Sequence, residues 1–468
     1  MTVPGAVNKN GTTLSESATP PPGGLFDGVL ARGEVRGILA DAGWLQAMLD
    51  AEAALCRAQV DAGLFPAAYA DAIAAECRAE RFDPAVIGAD AVSSGNPVIP
   101  LVRALTANVR RAHGERPAGW VHHGATSQDI SDTAAMLLSR RALLVIAAEL
   151  TACAERCAAL ARQHQHTVLA GRTLLQQALP TTFGLKAAGW GHALDEVAGE
   201  VRRVAAGLPA QLGGAAGTLA SLGDHGLSVL AAYAARLGLP EPLLPWHSHR
   251  LPVLRTAGVC GLAGAVAGKV AGDVVLLAQT EVGEVHDGAP ARGGSSTLPH
   301  KQNPVAAVGV LAATGQIPGL LASLHAAAGH EHERAAGSWQ AEWAPLQALL
   351  VATGSAASWL GDCLDTLEVD VDRMRTNLEL THGLLLAERI ATHLTPSLGR
   401  LAAHDLVEAA ARTAIATGRD LFDVVVADRQ IGALLDAATL RRLLDPAGYL
   451  GSAPRLVERA LQHHEENR

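Results

Sequence analysis

Aromatic residues are scarce: the 468-residue chain has seven Trp, five Phe and three Tyr. So few rings exclude stacking platforms for bases and aromatic sugar clefts, and leave the core to Ala, Leu and Val. Positive charge is also short, with 37 Lys and Arg against 46 Asp and Glu and a net charge of −9, so no basic footprint for nucleic acid is expected. Six cysteines, at positions 56, 77, 153, 157, 260 and 363, are scattered and make no disulfide framework. No basic segment followed by an apolar one opens the chain, and the expected location is the reducing cytoplasm. The longest stretch without charge, 302–329, is interrupted by Pro304, Gln316, Pro318 and several glycines. A membrane span needs about 20 continuous apolar residues, so this stretch reads as a buried bundle helix and no membrane partner is expected. Metal-ligand spacing is missing too. The pairs His164/His166, His247/His249 and His330/His332 would point to different sides of a helix, and no HExxH occurs. No metal and no cofactor is expected.

What the chain has is apolar bulk: 49% hydrophobic and 18% charged residues, enough for a large core in two to four domains. Residues 1–24 are rich in Pro, Gly, Ser, Thr and Asn without periodicity and are expected to be a disordered leader. From about Gly43 the pattern is helical, with Leu45, Met48, Leu49, Leu55 and Val60 at three-, four- and seven-residue spacings and Gly63 closing the segment. Further helices are expected over 67–80, 131–163, 183–206, 226–237, 254–284, 304–328, 340–367 and 400–417, and no run alternates long enough to predict a sheet. The expected fold is all-α: a central bundle of long helices over 116–368, between smaller helical domains at 25–115 and 369–468. The helices over 254–284 and 304–328 are apolar nearly all round and must be buried on several sides. One chain has too few partners for them, so association of copies is expected. Cys153 and Cys157 share a helix face and read as core thiols.

Three segments place small hydroxyl and amide residues just before a helix. They are HHGATSQDISDTA (122–134), where Thr126 and Asp129 have capping-box spacing, GRTLLQQALPTTFG (171–184), and GGSSTLPHKQNP (293–304), where Asn303 and Pro304 read as N-cap and first helical residue. Each alone is plain capping. Together, three helix starts with Arg172, Arg292 and Lys301 suit a small polycarboxylate, because unpaired N–H groups and the helix dipole favour anions there. In the third segment Gly293-Gly294 frees the backbone, and Lys301 follows Ser295 by six residues. A nearby ammonium and a helix start lower a hydroxyl pKa, so Ser295 is a candidate base; the plainer reading is a flexible linker. The segment EHERAAGSWQAEW (331–343) reads either as a solvated helix face or as a carboxylate clamp on Arg334.

The three segments, in this order, resemble the shared regions of the fumarase/aspartase/argininosuccinase superfamily over about residues 25–460. With LFDGVL (25–30), SGNPVIPLV (94–102), the 331–343 segment and DPAGYLG (445–451), the chain most resembles the superfamily's 3-carboxy-cis,cis-muconate cycloisomerase family. The resemblance implies a homotetramer whose active sites draw the three regions from three subunits. It also implies a metal-free cyclisation to 4-carboxymuconolactone in protocatechuate degradation by the β-ketoadipate route. By position it implies Ser295 as the residue exchanging a proton next to a carboxylate. Lys301 and Asn303 are implied on the substrate, and Thr126, Ser127, Gln128 and Thr173 at its carboxylates; Arg172, Gln177 and Ser296 are further candidates for binding it. His122 is a candidate for polarising a carboxylate or relaying a proton, His300 for positioning the loop, and Arg334 and Trp339 for substrate recognition.

One departure is informative. Many superfamily lyases carry Thr-His in the second region, where this chain has Thr173-Leu174, and Gln177 stands where some cycloisomerases have His. Neither Leu nor Gln donates a proton at neutral pH, and a lyase expelling an amine or hydroxide needs an acid. In lactone opening the leaving group is a carboxylate whose acid has a pKa near ~4, so none is needed. The departure favours a cycloisomerase, or a lyase with a good leaving group such as nitrite from nitrosuccinate, over adenylosuccinate and argininosuccinate lyases. A non-catalytic scaffold would not need Ser295, Lys301 and Asn303 together.

Overall fold

The computed structural model describes residues 24–290, 292–295 and 297–466. All but the last residue of the segment 1–24, expected to be a leader, and Ser296 lie outside the described residues.

Helix α1 is Asp41–Asp61 and α2 is Val98–His113. Helix α3, Ser127–Gln163, has 37 residues and starts four residues before the expected 131. Its start is fixed as the capping spacing predicts, with the Thr126 N–H donating to Asp129 Oδ2 at 2.9 Å. At 1.5 Å per residue it is about 55 Å long. Helix α4, Phe183–Ala206, returns along it, its first turn capped by Thr182 Oγ1 accepting from the Leu185 N–H. Gly184 lets the two ends meet: a Cβ there would lie 2.7 Å from the His164 carbonyl oxygen. Then come α5, Gly226–Leu237, and α6, Leu251–Ala278. The helix expected over 304–328 is two, α7, Val305–Thr314, and α8, Ile317–Ala327. The break falls where Pro318 withholds an N–H and its ring crowds the carbonyl four residues back. Helix α9, Ser338–Asp365, completes the bundle; α10, Ala387–Leu398, α11, Arg400–Thr417, and α12, Ala453–Glu466, follow.

The ends of α3, α6 and α9 are in register. At their N-termini Arg250 bridges Asp132 and Glu342, and at the far end of α3 and α9 Arg156 pairs with Asp365. These three run one way, while α4 and the α7–α8 pair return. One apolar core spans the bundle and α1, holding Leu49, Ile146, Leu194, Val259, Val310 and Leu360, and a second core of Ile390, Val407, Leu421 and Leu440 serves α10 and α11. Helix α12 folds back onto α4, where His464 Nδ1 meets Asp195 Oδ2 at 2.7 Å. Cys153 and Cys157 are buried thiols, as expected, and burial pushes Cys153 up to about 12.

Against the expectation of no sheet, two short antiparallel pairs form: β1, Val168–Thr173, with β2, Gln176–Thr182, and β3, Val285–Asp287, with β4, Leu367–Val369. The second segment is thus a hairpin before α4, whose turn is Leu174-Leu175 with φ of 50° and 64°. A shift of register between Ala170 and Arg172 breaks the alternation a sequence reading relies on.

The apolar segments 251–278 and 305–327 are long and apolar enough to cross a membrane by composition, yet they are bundle helices here, with 44% and 33% of their most apolar windows buried. Leu262, Leu276 and Val308 remain exposed on them, so one chain leaves part of these faces uncovered.

Candidate active site

At the end where α3 begins, the first segment meets the 331–343 segment. Gln128 is buried; its Nε2 donates to Asp132 Oδ2 at 3.1 Å and to the His247 carbonyl at 2.8 Å, and its Oε1 accepts from Arg334 at 3.2 Å. Arg334 also donates to the Ala215 carbonyl at 2.8 Å. Of the two readings of 331–343, a solvated face is excluded for Trp339 and Glu342, which are buried. The Trp339 indole N–H donates to Asp132 at 3.1 Å. Two expectations change with this. Gln128 and Trp339 have their polar atoms engaged inside the protein, so they hold the site's frame rather than offer a free group to a ligand. Thr126 and Ser127 are half-buried at the helix start.

Beneath them lies an ionic cluster. Arg250, its side chain only 2% exposed, donates to both Asp132 oxygens at 2.7 and 2.9 Å and to Glu342 at 2.7 Å. Burial works against its charge, but Asp132 and Glu342 outweigh burial and hold its pKa above the ordinary arginine value. His330 Nε2 lies 3.1 Å from Glu342. Asp129 accepts from the Gly213 and Gly214 N–H groups, each at 2.9 Å, and meets His247 Nε2 at 2.7 Å. His122, on the adjoining turn with φ of 60°, holds Glu52 of α1 at 2.6 Å.

The second and third segments lie at the other end. Arg172 grips the buried Glu284 with two bonds of 2.9 and 2.7 Å, and Arg292 binds Asp287, Asp362 and Thr366. Both guanidiniums, read from sequence as groups for a polycarboxylate, are therefore neutralised within the chain, and what they do is anchor the hairpin and the loop. Gln177 likewise donates to the Asn377 carbonyl at 2.9 Å, tying the hairpin down. Thr173 is exposed at the hairpin tip.

The loop is closed by its ends. Asn303 donates its backbone N–H and its side-chain Nδ2 to the Gly293 carbonyl at 2.9 and 2.8 Å. Gly293 has φ of 83°, and a Cβ on it would lie 2.3 Å from the Asn303 carbonyl oxygen, so only glycine fits. This corrects the expectation that Asn303 caps a helix: α7 starts at Val305 with Pro304 as its cap. Within the loop Ser295 Oγ accepts from the N–H groups of Leu298 at 3.1 Å and Thr297 at 3.3 Å. Two donors aimed at one hydroxyl oxygen favour its alkoxide. Lys301 and His300 are exposed on the same loop.

The chain thus brings together 122–129 with 334–342, and separately places the hairpin and the loop at the opposite end. Helix α3, about 55 Å long, lies between Thr126 and the hairpin, so no single chain forms one pocket from all three segments. Sequence reasoning missed Glu52, Asp132, Arg250, Glu284 and Glu342. Glu52 had a signal, since it falls in the apolar stripe of Leu45, Met48, Leu49 and Leu55.

Comparison with known proteins identifies the family. The lyase family model matches residues 30–319, and the model of the adenylosuccinate lyase C-terminus matches 383–460. Nitrosuccinate lyase of Streptomyces davaonensis is 46% identical, covering 94% of each chain. A 3-carboxy-cis,cis-muconate cycloisomerase of Bradyrhizobium diazoefficiens is 44% identical, covering 95% of this chain and 98% of its own. Among solved structures, the 3-carboxy-cis,cis-muconate lactonizing enzyme of Pseudomonas putida superposes with a TM-score of 0.89 at 41% identity, over 95% of this chain and 99% of that one. The chain belongs to the lyase family of the fumarase/aspartase superfamily.

Proposed function

We propose that this protein is a cycloisomerase that closes 3-carboxy-cis,cis-muconate to 4-carboxymuconolactone without a metal. The observation that carries the reading is Ser295, its Oγ held by two backbone N–H groups in the clasped loop. In the forward step a substrate carboxylate oxygen attacks one alkene carbon. The displaced electron pair takes the Ser295 hydroxyl proton at the neighbouring carbon, and the alkoxide left behind is stabilised by the Thr297 and Leu298 N–H groups. Lys301 faces solvent on the same loop and supplies the charge for a carboxylate. No second acid is needed, in keeping with Leu174 at the hairpin turn, which is 97% exposed and offers no proton.

The same features suit elimination of nitrite from nitrosuccinate, and the 46% identical lyase favours that second reading. The test is to follow muconate ultraviolet absorbance in the presence of a chelator and identify the product by NMR, beside an assay of nitrite and fumarate release from nitrosuccinate. Chelator-insensitive lactone formation is the expected result. Nitrite release without lactone formation replaces the first reading with the second.

The geometry also bears on assembly. Segments separated by the length of α3 within one chain, and the uncovered apolar faces of α6 and α7, support a homotetramer with sites shared between subunits. Six buried, unpaired cysteines support a reducing, cytoplasmic setting. Arg334, whose partners within the chain are neutral oxygens of Gln128, Gly214 and Ala215, keeps its charge for a substrate carboxylate in this reading. Arg334→Met is expected to raise KM about tenfold or more, since a charged hydrogen bond contributes roughly 1.5–3 kcal/mol. An unchanged KM in steady-state kinetics removes Arg334 from recognition.

A further inference from the structure

The Glu52 carboxylate is fully buried in α1, far from any sequence motif, yet its Oε1 lies 2.6 Å from His122 Nδ1. Its Oε2 is buried and makes no hydrogen bond. A buried, half-satisfied carboxylate is costly unless an opposite charge compensates it, and the imidazole is the group in contact. His122 is also held at φ of 60°, a left-handed conformation that costs a residue with a side chain on the order of 1 kcal/mol or more. Strained backbone and a buried carboxylate therefore fix one ring, at the turn that leads into Thr126 and Ser127. With Nδ1 on Glu52, Nε2 is the nitrogen left to face a ligand, and the His122 side chain is 19% exposed.

We propose that Glu52 is a positioning residue that locks the His122 ring with Nε2 outward, as an imidazolium that receives a substrate carboxylate. The inference rests on the reading of a carboxylate substrate at this site and adds a residue to it. The charged surroundings agree. Asp129 of α3, itself paired with His247, adds negative charge, and Tyr233 of α5 and the thiols of Cys56 and Cys77 beside Glu52 are held neutral by burial. Burial favours the neutral imidazole, but the charge and hydrogen bond of Glu52, with the charge of Asp129, outweigh it and place His122 above the ordinary histidine range. The cation persists below that raised pKa and is lost as pH rises through it.

The experiment compares wild type, Glu52→Gln, His122→Gln and the double variant. NMR titration of labelled histidine in the free protein is expected to show His122 titrating at lower pH in Glu52→Gln. In kinetics, Glu52→Gln is expected to raise KM about tenfold near pH 8 with kcat within about threefold, and to move the alkaline limb of kcat/KM to lower pH. The double variant is expected to match His122→Gln alone, because Glu52 acts through His122. An unmoved His122 titration, or losses that multiply in the double variant, overturns the proposal. If Glu52→Gln does not fold, Glu52→Asp keeps the charge, withdraws it from Nδ1 and is read by the same criteria. Failure of the functional reading is seen separately, as no turnover of either substrate by wild type, and the titration still decides the part played by Glu52.

Discussion

Ser295→Ala is expected to lower kcat by about 10²–10⁴, the range that general acid–base groups contribute, while the fold stays intact. The side chain lies on an irregular loop and packs in no core, and the loop's closure is made by Gly293 and Asn303, not by Ser295. Removing Oγ takes away both the proton to be delivered and the atom on which the Leu298 and Thr297 N–H groups converge. The check is stopped-flow turnover of the accepted substrate beside circular dichroism and size-exclusion profiles of the variant. A kcat within threefold of wild type removes Ser295 from the chemistry and leaves its two hydrogen bonds as a turn motif. Ser295→Cys sharpens the result. A thiol keeps a dissociable proton but is larger and a poorer hydrogen-bond acceptor, so partial activity there with none in alanine separates proton transfer from loop shape.

The parts of this molecule that sequence reveals are those whose information is local. Helices 183–206, 226–237 and 400–417 run between the same residues that periodicity and caps indicate, because each is bounded by a residue, such as Thr182 or Gly238, that acts on its own turn. The capping contact of Thr126 and Asp129 spans three residues and was equally visible. The hairpin was not. Its strands are short and bulged, and its turn is two leucines in left-handed conformations that nothing local favours. Exposed and strained, Leu174-Leu175 is held by the flanking anchors of Arg172 and Gln177, which bind partners 112 and 200 residues away. The same distance hid the fate of the arginines. Arg172 and Arg292 look free in sequence, and only the fold shows Glu284 and Asp287 taking their charge. Motif order located the three segments, but that they lie at opposite ends of a 37-residue helix is a fact of packing.

In the ionic cluster at the start of α3, removal of one partner strands buried charge. Arg250 sits just before α6 and donates to Asp132 of α3 and Glu342 of α9, with the Trp246 ring 4.9 Å from its guanidinium carbon, so three helices of the bundle are joined through one side chain. Arg250→Met is expected to destabilise the protein by about 3–5 kcal/mol, the usual cost of leaving buried charges without their partner. Methionine fills most of the volume, so the loss is electrostatic and not a cavity. In the variant Asp132 keeps the hydrogen bonds of Gln128 and Trp339, Glu342 keeps His330 beside it, and the cation that lay between the two carboxylates is gone. Urea midpoints and Tm test this directly. A deficit under about 1 kcal/mol shows that Asp132 and Glu342 find other partners and that the three helices are held by their apolar core alone. Asp132→Asn with Glu342→Gln added to Arg250→Met removes the stranded charges, and recovery of most of the lost stability in that triple variant is the matching expectation.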